Sequence, residues 1–217
     1  EHDSRSHAVN YAFAIYGSYQ PAEGVFIDGV FGHGRLDFDL ERYASAVDRT
    51  ATAQRTGAQW FSSISAGYEF EKDMLLISPY VRADFVSTRL NKTREQGAGI
   101  YNLAYFEQDV STRKLSFGLR GETSFTFSGG LAKPYVRLEY QRDFQKRSIA
   151  GMAYADQLSG PIYQLNVDGA DRSTWVLGLG SEFQLLKTWN LGLRYLFSQG
   201  SSSTQTHTFG ISVNNRF

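Results

Sequence analysis

Residues 189–198 repeat with a period of two. Trp189, Leu191, Leu193, Tyr195 and Phe197 fall on one side and Asn190, Gly192, Arg194 and Ser198 on the other, with only Leu196 breaking the polar set. A period of two is the mark of a strand with one apolar and one polar face. The same pattern sets Phe209, Ile211, Val213 and Phe217 against Thr208, Gly210, Ser212, Asn214 and Arg216. Trp175, Leu177, Leu179, Phe183 and Leu185 stand against Thr174, Gly178, Gly180, Glu182 and Gln184 in the same way. Residues 114–127 oppose Leu115, Phe117, Leu119 and Phe125 to Ser116, Gly118, Arg120 and Glu122. Val136, Leu138 and Tyr140 face away from Arg137, Glu139 and Gln141, and Val81, Ala83 and Phe85 from Arg82 and Asp84. Trp60, Ile64, Ala66, Tyr68 and Phe70 oppose Ser63, Ser65, Gly67 and Glu69, and weaker strands lie around residues 11–19 and 25–31. This makes about nine strands, several with the roughly ten alternating residues that a tilted membrane strand needs.

The longest unbroken apolar runs, such as residues 75–77 and 175–177, are only a few residues long. They exclude a transmembrane helix, which needs about 20 apolar residues. A chain of 217 residues suits one domain, residues 1–217, rather than two. Its mean hydropathy of −0.36 fits either a soluble sandwich or a barrel with an apolar outside and a polar lumen, because alternation halves the average. Twenty-two basic residues against 22 acidic ones give no net charge, which argues against a nucleic-acid partner or a polybasic membrane patch. The absence of Cys excludes a disulfide scaffold, a Cys-bearing zinc site and a thiol nucleophile, and suits an exported chain. Glu1 to Ser6 are polar and carry no signal-peptide core, so a leader has been removed or sequence lies upstream.

The connections separate the two architectures. Residues 20–24, 71–74, 128–133 and 186–188 read as short turns, whereas 39–56, 88–111 and 145–171 read as long polar connections, 39–56 as an extracellular loop or an extension of the strands, with a moderate link at 199–203 in the long series. Short and long alternate, which in an up-and-down barrel puts all turns at one rim and all loops at the other, as in outer-membrane barrels. A soluble sandwich has no reason to sort its loops. Phe70, Phe127, Trp189 and Phe217 gather at the short-turn rim, as an interfacial girdle does. The expectation is an all-β, antiparallel, up-and-down transmembrane β-barrel. Nine strands would start near His7 at the long-loop rim, whereas bacterial barrels close with an even number, so further strands are expected upstream.

Pro79-Tyr80-Val81-Arg82-Ala83-Asp84-Phe85 recurs as Pro134-Tyr135-Val136-Arg137-Leu138-Glu139-Tyr140, implying a repeated hairpin unit. With these units go the ending Gly210-Ile211-Ser212-Val213-Asn214-Asn215-Arg216-Phe217, the strand Leu191-Gly192-Leu193-Arg194-Tyr195 followed by Gln199-Gly200-Ser201-Ser202, and the hairpin from Ile15-Tyr16-Gly17-Ser18-Tyr19 to Phe26-Ile27-Asp28-Gly29. Together, and in this order, they resemble the C-terminal translocator domain of type V autotransporters along essentially the whole chain. The resemblance implies a twelve-stranded barrel of which this chain supplies the last nine strands, placed in the outer membrane of a Gram-negative bacterium. It also implies the partners: outer-membrane lipid, the β-barrel assembly machinery and a covalently linked N-terminal passenger carried to the cell surface. Gly210, Val213 and Phe217 would be the membrane-assembly signal.

No catalytic or metal constellation emerges from the residues. His2, His7, His33 and His207 include no i, i+4 pair. Ser4, His2 and Asp3 make a triad only on paper, without a nucleophile elbow. Gly178-Leu179-Gly180 and Gly32-His33-Gly34 lack the strand-to-helix setting of a phosphate loop. The charges that recur in register, Glu69, Arg82, Asp84, Arg120, Glu122, Arg137, Glu139, Glu182, Arg194 and Arg216, are expected to face the lumen as a mutually neutralising network. The reading is a monomeric, non-enzymatic translocator without cofactor; its alternative is a stand-alone outer-membrane adhesin or porin-like barrel whose long loops bind a ligand. Deleting Phe217 or making it polar is expected to lower the amount of heat-modifiable barrel in the outer membrane, and wild-type amounts would contradict its role in assembly.

Overall fold

The computed structural model describes residues 4–145, 148–167, 171–185, 188–202 and 204–215. The strands in chain order are β1 (Arg5–Ala22), β2 (Val25–Ala44), β3 (Arg49–Tyr68), β4 (Phe70–Lys72), β5 (Leu75–Leu90), β6 (Thr93–Arg94), β7 (Leu103–Tyr105), β8 (Gln108–Thr123), β9 (Phe125–Phe127), β10 (Gly130–Asp143), β11 (Ser148–Tyr154), β12 (Tyr163–Val167), β13 (Ser173–Leu185), β14 (Trp189–Gly200) and β15 (Gln205–Asn215). Nine of them form one antiparallel meander, β1-β2-β3-β5-β8-β10-β13-β14-β15, with β4 and β9 adding short pairings to β5 and β10. All nine expected strands are present. Ser18 of β1 and Arg137 of β10 line one cavity, although five strand spacings of about 4.8 Å separate them along the sheet. The sheet is therefore curled into a half-barrel with the polar face inside.

The convex face carries the rings and aliphatic side chains. Phe13, Ile15, Trp60, Ile64, Phe85, Phe117, Leu119, Leu138, Trp175, Leu193, Phe209 and Ile211 are all exposed. The buried hydrophobic residues among those described are seven alanines and Val176, so there is no core of the kind that stabilises a soluble sandwich. The accessible surface of 14914 Å² exceeds by about half the roughly 10,000 Å² expected of a compact soluble chain of this mass. An apolar surface of this extent is stable against lipid, not water. Each large side chain moved from water into hydrocarbon contributes about 1.5–3 kcal/mol. Phe70, Phe127 and Trp189 are exposed at the short-turn end, where the girdle was expected; Phe217 and Arg216 lie outside the described residues.

The long loops differ from expectation. Of the two readings of residues 39–56 the strand extension holds and the loop does not: β2 and β3 stay paired in register to Ala44↔Arg49, and only residues 45–48 turn. Alternation fades there because a hairpin standing above the membrane is wetted on both faces and needs no apolar side. Residues 88–111 and 145–171 contain β6, β7, β11 and β12, which form a second sheet in the order β12-β11-β7-β6. β7 and β11 come from different loops yet pair over Met152↔Tyr105, Ala153↔Ala104 and Tyr154↔Leu103. The long connections are thus one folded module at the mouth of the half-barrel, centred on Ala44, Ala51 and Ala98 with Val47 and Tyr101 packed against them.

Inside the half-barrel, aromatic rings lie over glycines on the neighbouring strand. Tyr80 is opposite Gly118, Phe26 opposite Gly67 and Tyr135 opposite Gly180. A Cβ on Gly118 would overlap the Tyr80 ring, and one on Gly180 would come within 2.6 Å of Tyr135 Cζ. The missing side chain is the seat of the ring, which covers the bare backbone. Gly118→Val is expected to destabilise the barrel by roughly 1–3 kcal/mol, the usual range for overpacking, lowering the temperature at which the folded band disappears in heat-modifiability gels. Gly121→Ala, whose new Cβ would meet Val136 at an ordinary 3.6 Å, is the control; equal melting of the two variants would remove the steric account.

Candidate functional site

The inner wall is organised around Glu139, whose side chain is fully buried. Arg82 Nη2 donates to Glu139 Oε1 at 3.0 Å, Tyr80 donates its hydroxyl to Oε2 at 2.5 Å, and Gln141 Nε2 donates to Oε1. Arg82 also donates from Nε to Asp84 at 3.0 Å, and Ser63 donates to the other Asp84 oxygen at 2.6 Å. A buried carboxylate is tolerated only when paired and hydrogen-bonded in this way. Sequence spacing produces the arrangement: in each Pro-Tyr-Val-Arg unit the Tyr and the Arg are two apart and point to the same side. Arg120 pairs with Glu122 at 2.6 Å and lies over the Tyr135 ring, 4.8 Å from its centroid.

Of the expected charges, the structure joins Arg82, Asp84 and Glu139 in one cluster and Arg120 with Glu122 in another. Glu69, Arg82, Arg120 and Arg137 line a common cavity of about 270 Å³ with Tyr80 and Asp28. Glu182 and Arg194 line a separate hollow with Gly210 and share no ion pair among the described residues. Val213 lies opposite Leu191 and is exposed on the outer face. Buried Nε atoms of Arg120 and Arg137 have no hydrogen-bond partner among the described residues. Both side chains nevertheless line the inner cavity, so the wall presents cationic groups to whatever occupies the lumen. Tyr80, Tyr135, Gln141 and Ser63 were missed as site residues, though the repeated Tyr-Val-Arg spacing was a signal for the two tyrosines.

A second buried carboxylate fastens the loop module. Glu95, 1% exposed, receives Arg42 Nε at 2.9 Å and Nη2 at 2.6 Å, the Leu103 N–H at 2.8 Å and the Tyr105 hydroxyl at 2.9 Å. Arg42 Nη2 also donates to the Tyr101 carbonyl at 2.7 Å. The latch joins the β2 extension to the 90–108 connection, 53 residues away in the chain. Arg55 adds donations to the Asn91 and Phe106 carbonyls. Nothing in the local sequence around Glu95 announced this, because its partners arrive only with the tertiary fold.

Relatives agree with this geometry. The family model for the autotransporter beta-domain matches residues 1–196. The chain belongs to that family. Among solved structures, the translocator domain of the autotransporter NalP from Neisseria meningitidis is similar over 100% of this chain and 70% of its own, with a TM-score of 0.74 at 16% identity. The β-domain of the Bordetella autotransporter BrkA is similar over 98% of this chain and 75% of its own, with a TM-score of 0.62 at 20% identity. Esterase EstA of Pseudomonas aeruginosa and that of Pseudomonas putida are each 27% identical over 155 residues, covering 68% of this chain. This autotransporter β-domain spans about a quarter (24%) of the length of those curated relatives.

Burial raises the Glu95 carboxyl, but Arg42, the Leu103 N–H and Tyr105 outweigh it, so Glu95 titrates below its ordinary value. Burial, and then the bond to Glu95, push the Tyr105 phenol up to about 12. A carboxylate whose folded pKa lies below the unfolded one stabilises above the ordinary range near 4 and loses that contribution as pH falls through the folded value. The loop module of this β-domain is therefore expected to resist pepsin at pH 5 and to become susceptible toward pH 3 and below. Glu95→Gln should be susceptible already at pH 5; a variant as resistant as wild type there would show that the latch does not hold the loops.

Proposed function

We propose that this chain is the outer-membrane translocator of a type V secretion protein, carrying an N-terminally linked passenger to the cell surface. The observation that supports it most is one sheet with two opposite chemistries: an apolar convex face suited to lipid and a concave wall of paired charges that keeps a hydrated path open. Membership of the autotransporter β-domain family places that sheet in the outer membrane of a Gram-negative bacterium and gives the path its use. The registered charges act as a hydrogen-bonding wall of mixed sign along which an extended polypeptide can slide without a deep electrostatic trap, since Arg82 is paired with Asp84 and Glu139, and Arg120 with Glu122. Arg120 and Arg137, which line the inner cavity, are the points of contact for backbone carbonyls or acidic side chains. Assembly as a monomeric barrel, with the strand ending in Gly210, Val213 and Phe217 read by the assembly machinery, belongs to the same proposal. The chain is given no catalytic step; the esterase activity named for EstA is a property of that protein.

A second reading, ligand binding by the loops, draws on the exposed Ile149, Ile162, Tyr163 and Leu165 of the loop module. The two are separated by expressing the chain with its natural upstream sequence bearing an N-terminal epitope. Translocation predicts that the epitope is shaved by protease added to intact cells, and that a variant with Arg120 and Arg137 changed to Glu shows delayed shaving with a normally heat-modifiable barrel. An epitope retained in the periplasm above a correctly assembled barrel would reject the translocator role.

A further inference from the structure

The outer wall carries a row of arginines just above the apolar belt on the loop side, and they are not alike. Arg35 is neutralised by Asp37 at 3.2 Å, and Arg89 by Asp109 at 2.9 Å and Glu107 at 3.3 Å. Arg113 and Arg142 are exposed and have no carboxylate within ion-pair distance among the described residues. Register puts both on the lipid side: Arg113 is opposite Phe85, and Arg142 is opposite Leu115 and Ser173. They are diagonal neighbours on β8 and β10, about 7–8 Å apart at Cα, close enough for two guanidinium groups to converge on one anion. Arg142 Nη1 already donates to Ser173 Oγ at 2.7 Å, and the Tyr140 hydroxyl donates to the same oxygen at 3.1 Å, which holds the side chain against the wall.

What lies immediately below fixes the depth. Tyr140 and Trp175 pack with ring centroids 5.0 Å apart, and aromatic pairs of this kind sit at the level of lipid headgroups. Phe144, 59% exposed, donates its N–H to the Arg113 carbonyl at 2.7 Å and flanks the pair. Asp143, the nearest acidic residue in the chain, is 6% exposed and its Oδ1 is occupied by the Gln145 N–H. A cationic pair without an ion-pair partner among the described residues, with aliphatic and aromatic surface beneath it, is complementary to an amphiphile with an anionic head and acyl chains. We propose that Arg113, Arg142 and the Tyr140–Trp175 pair form a docking site for the phosphorylated headgroup of an outer-leaflet glycolipid. Paired guanidinium groups suit phosphate because they donate two parallel hydrogen bonds, and the lipid would hold this wall of the barrel at a set height beneath the loop module.

The test uses the full-length protein extracted from outer membranes in mild detergent, with bound lipid A measured per mole of protein by mass spectrometry. Arg113→Gln with Arg142→Gln is expected to lose at least about ten-fold of the bound lipid, two surface charges each being worth about five-fold. Replacing both with Lys should keep most of it, and Arg35→Gln, which removes an already neutralised charge, should keep all. A second measurement needs no change at either arginine. In protein whose Trp60 and Trp189 are changed to Phe, Trp175 fluorescence is read in vesicles containing acyl-brominated lipid A or its dephosphorylated form. Stronger quenching by the phosphorylated lipid supports the site. Equal retention in the Gln pair and wild type, or equal quenching by the two lipids, would overturn it.

Discussion

In hydrocarbon a peptide N–H or C=O without a partner costs several kcal/mol, because no water is present to replace it. Every other property of this chain follows from that requirement. It forces the nine long strands into one continuous antiparallel ladder and forbids irregular backbone within the belt. It also confines all structural variety to the two rims. At one rim two-residue turns suffice, as between Ala22 and Val25 or Lys72 and Leu75. At the other, chain that has left the lipid is free to build a separate sheet.

Removing the backbone from the energetic question leaves the side chains to satisfy two media. The convex face gains by contact with lipid and needs no shape complementarity, so Leu, Phe, Trp and Ile stand there without interlocking. The concave face has the opposite task. It must be polar without leaving isolated charges in a region of low dielectric, and it does so by placing Arg82 between Asp84 and Glu139 and by setting Tyr80 and Gln141 on the remaining oxygens. Unpaired charges are informative for the same reason: Arg113 and Arg142 outside, and Arg137 inside, have no ion pair among the described residues and are places where another molecule can complete the balance.

The strands and their two faces were legible in the sequence because parity is a local property: Leu193 and Tyr195 face out if Arg194 faces in, whatever the rest of the fold does. The sorting of short and long connections was legible as well, and together they sufficed for the architecture, while the family rested on the resemblance carried by the Pro-Tyr-Val-Arg units and the ending at residues 210–217. The loop module was not. Whether residues 39–56 were loop or strand extension was not legible, because alternation stops at the lipid boundary, whereas hydrogen bonding between β2 and β3 does not. The pairing of β7 with β11 joins segments whose short lengths and mixed composition carry no signal alone. Glu95 is the sharpest case, since its four donors come from Arg42, Leu103 and Tyr105 and only tertiary folding brings Arg42 within reach.

The rings seated over glycines have a further consequence for how such a sheet can be built. Facing rules exclude a slip of one residue, which would turn every side chain to the wrong medium, but they are blind to a slip of two. Sliding β5 by two against β8 would set Tyr80 against Ser116 or Arg120 in place of Gly118; sliding β2 against β3 would set Phe26 against Ser65 or Glu69 in place of Gly67. Either way a ring would be driven into a side chain. The glycines thus act as notches that set the register: a ladder two residues out of place has no seat for its rings and is less stable than the native one.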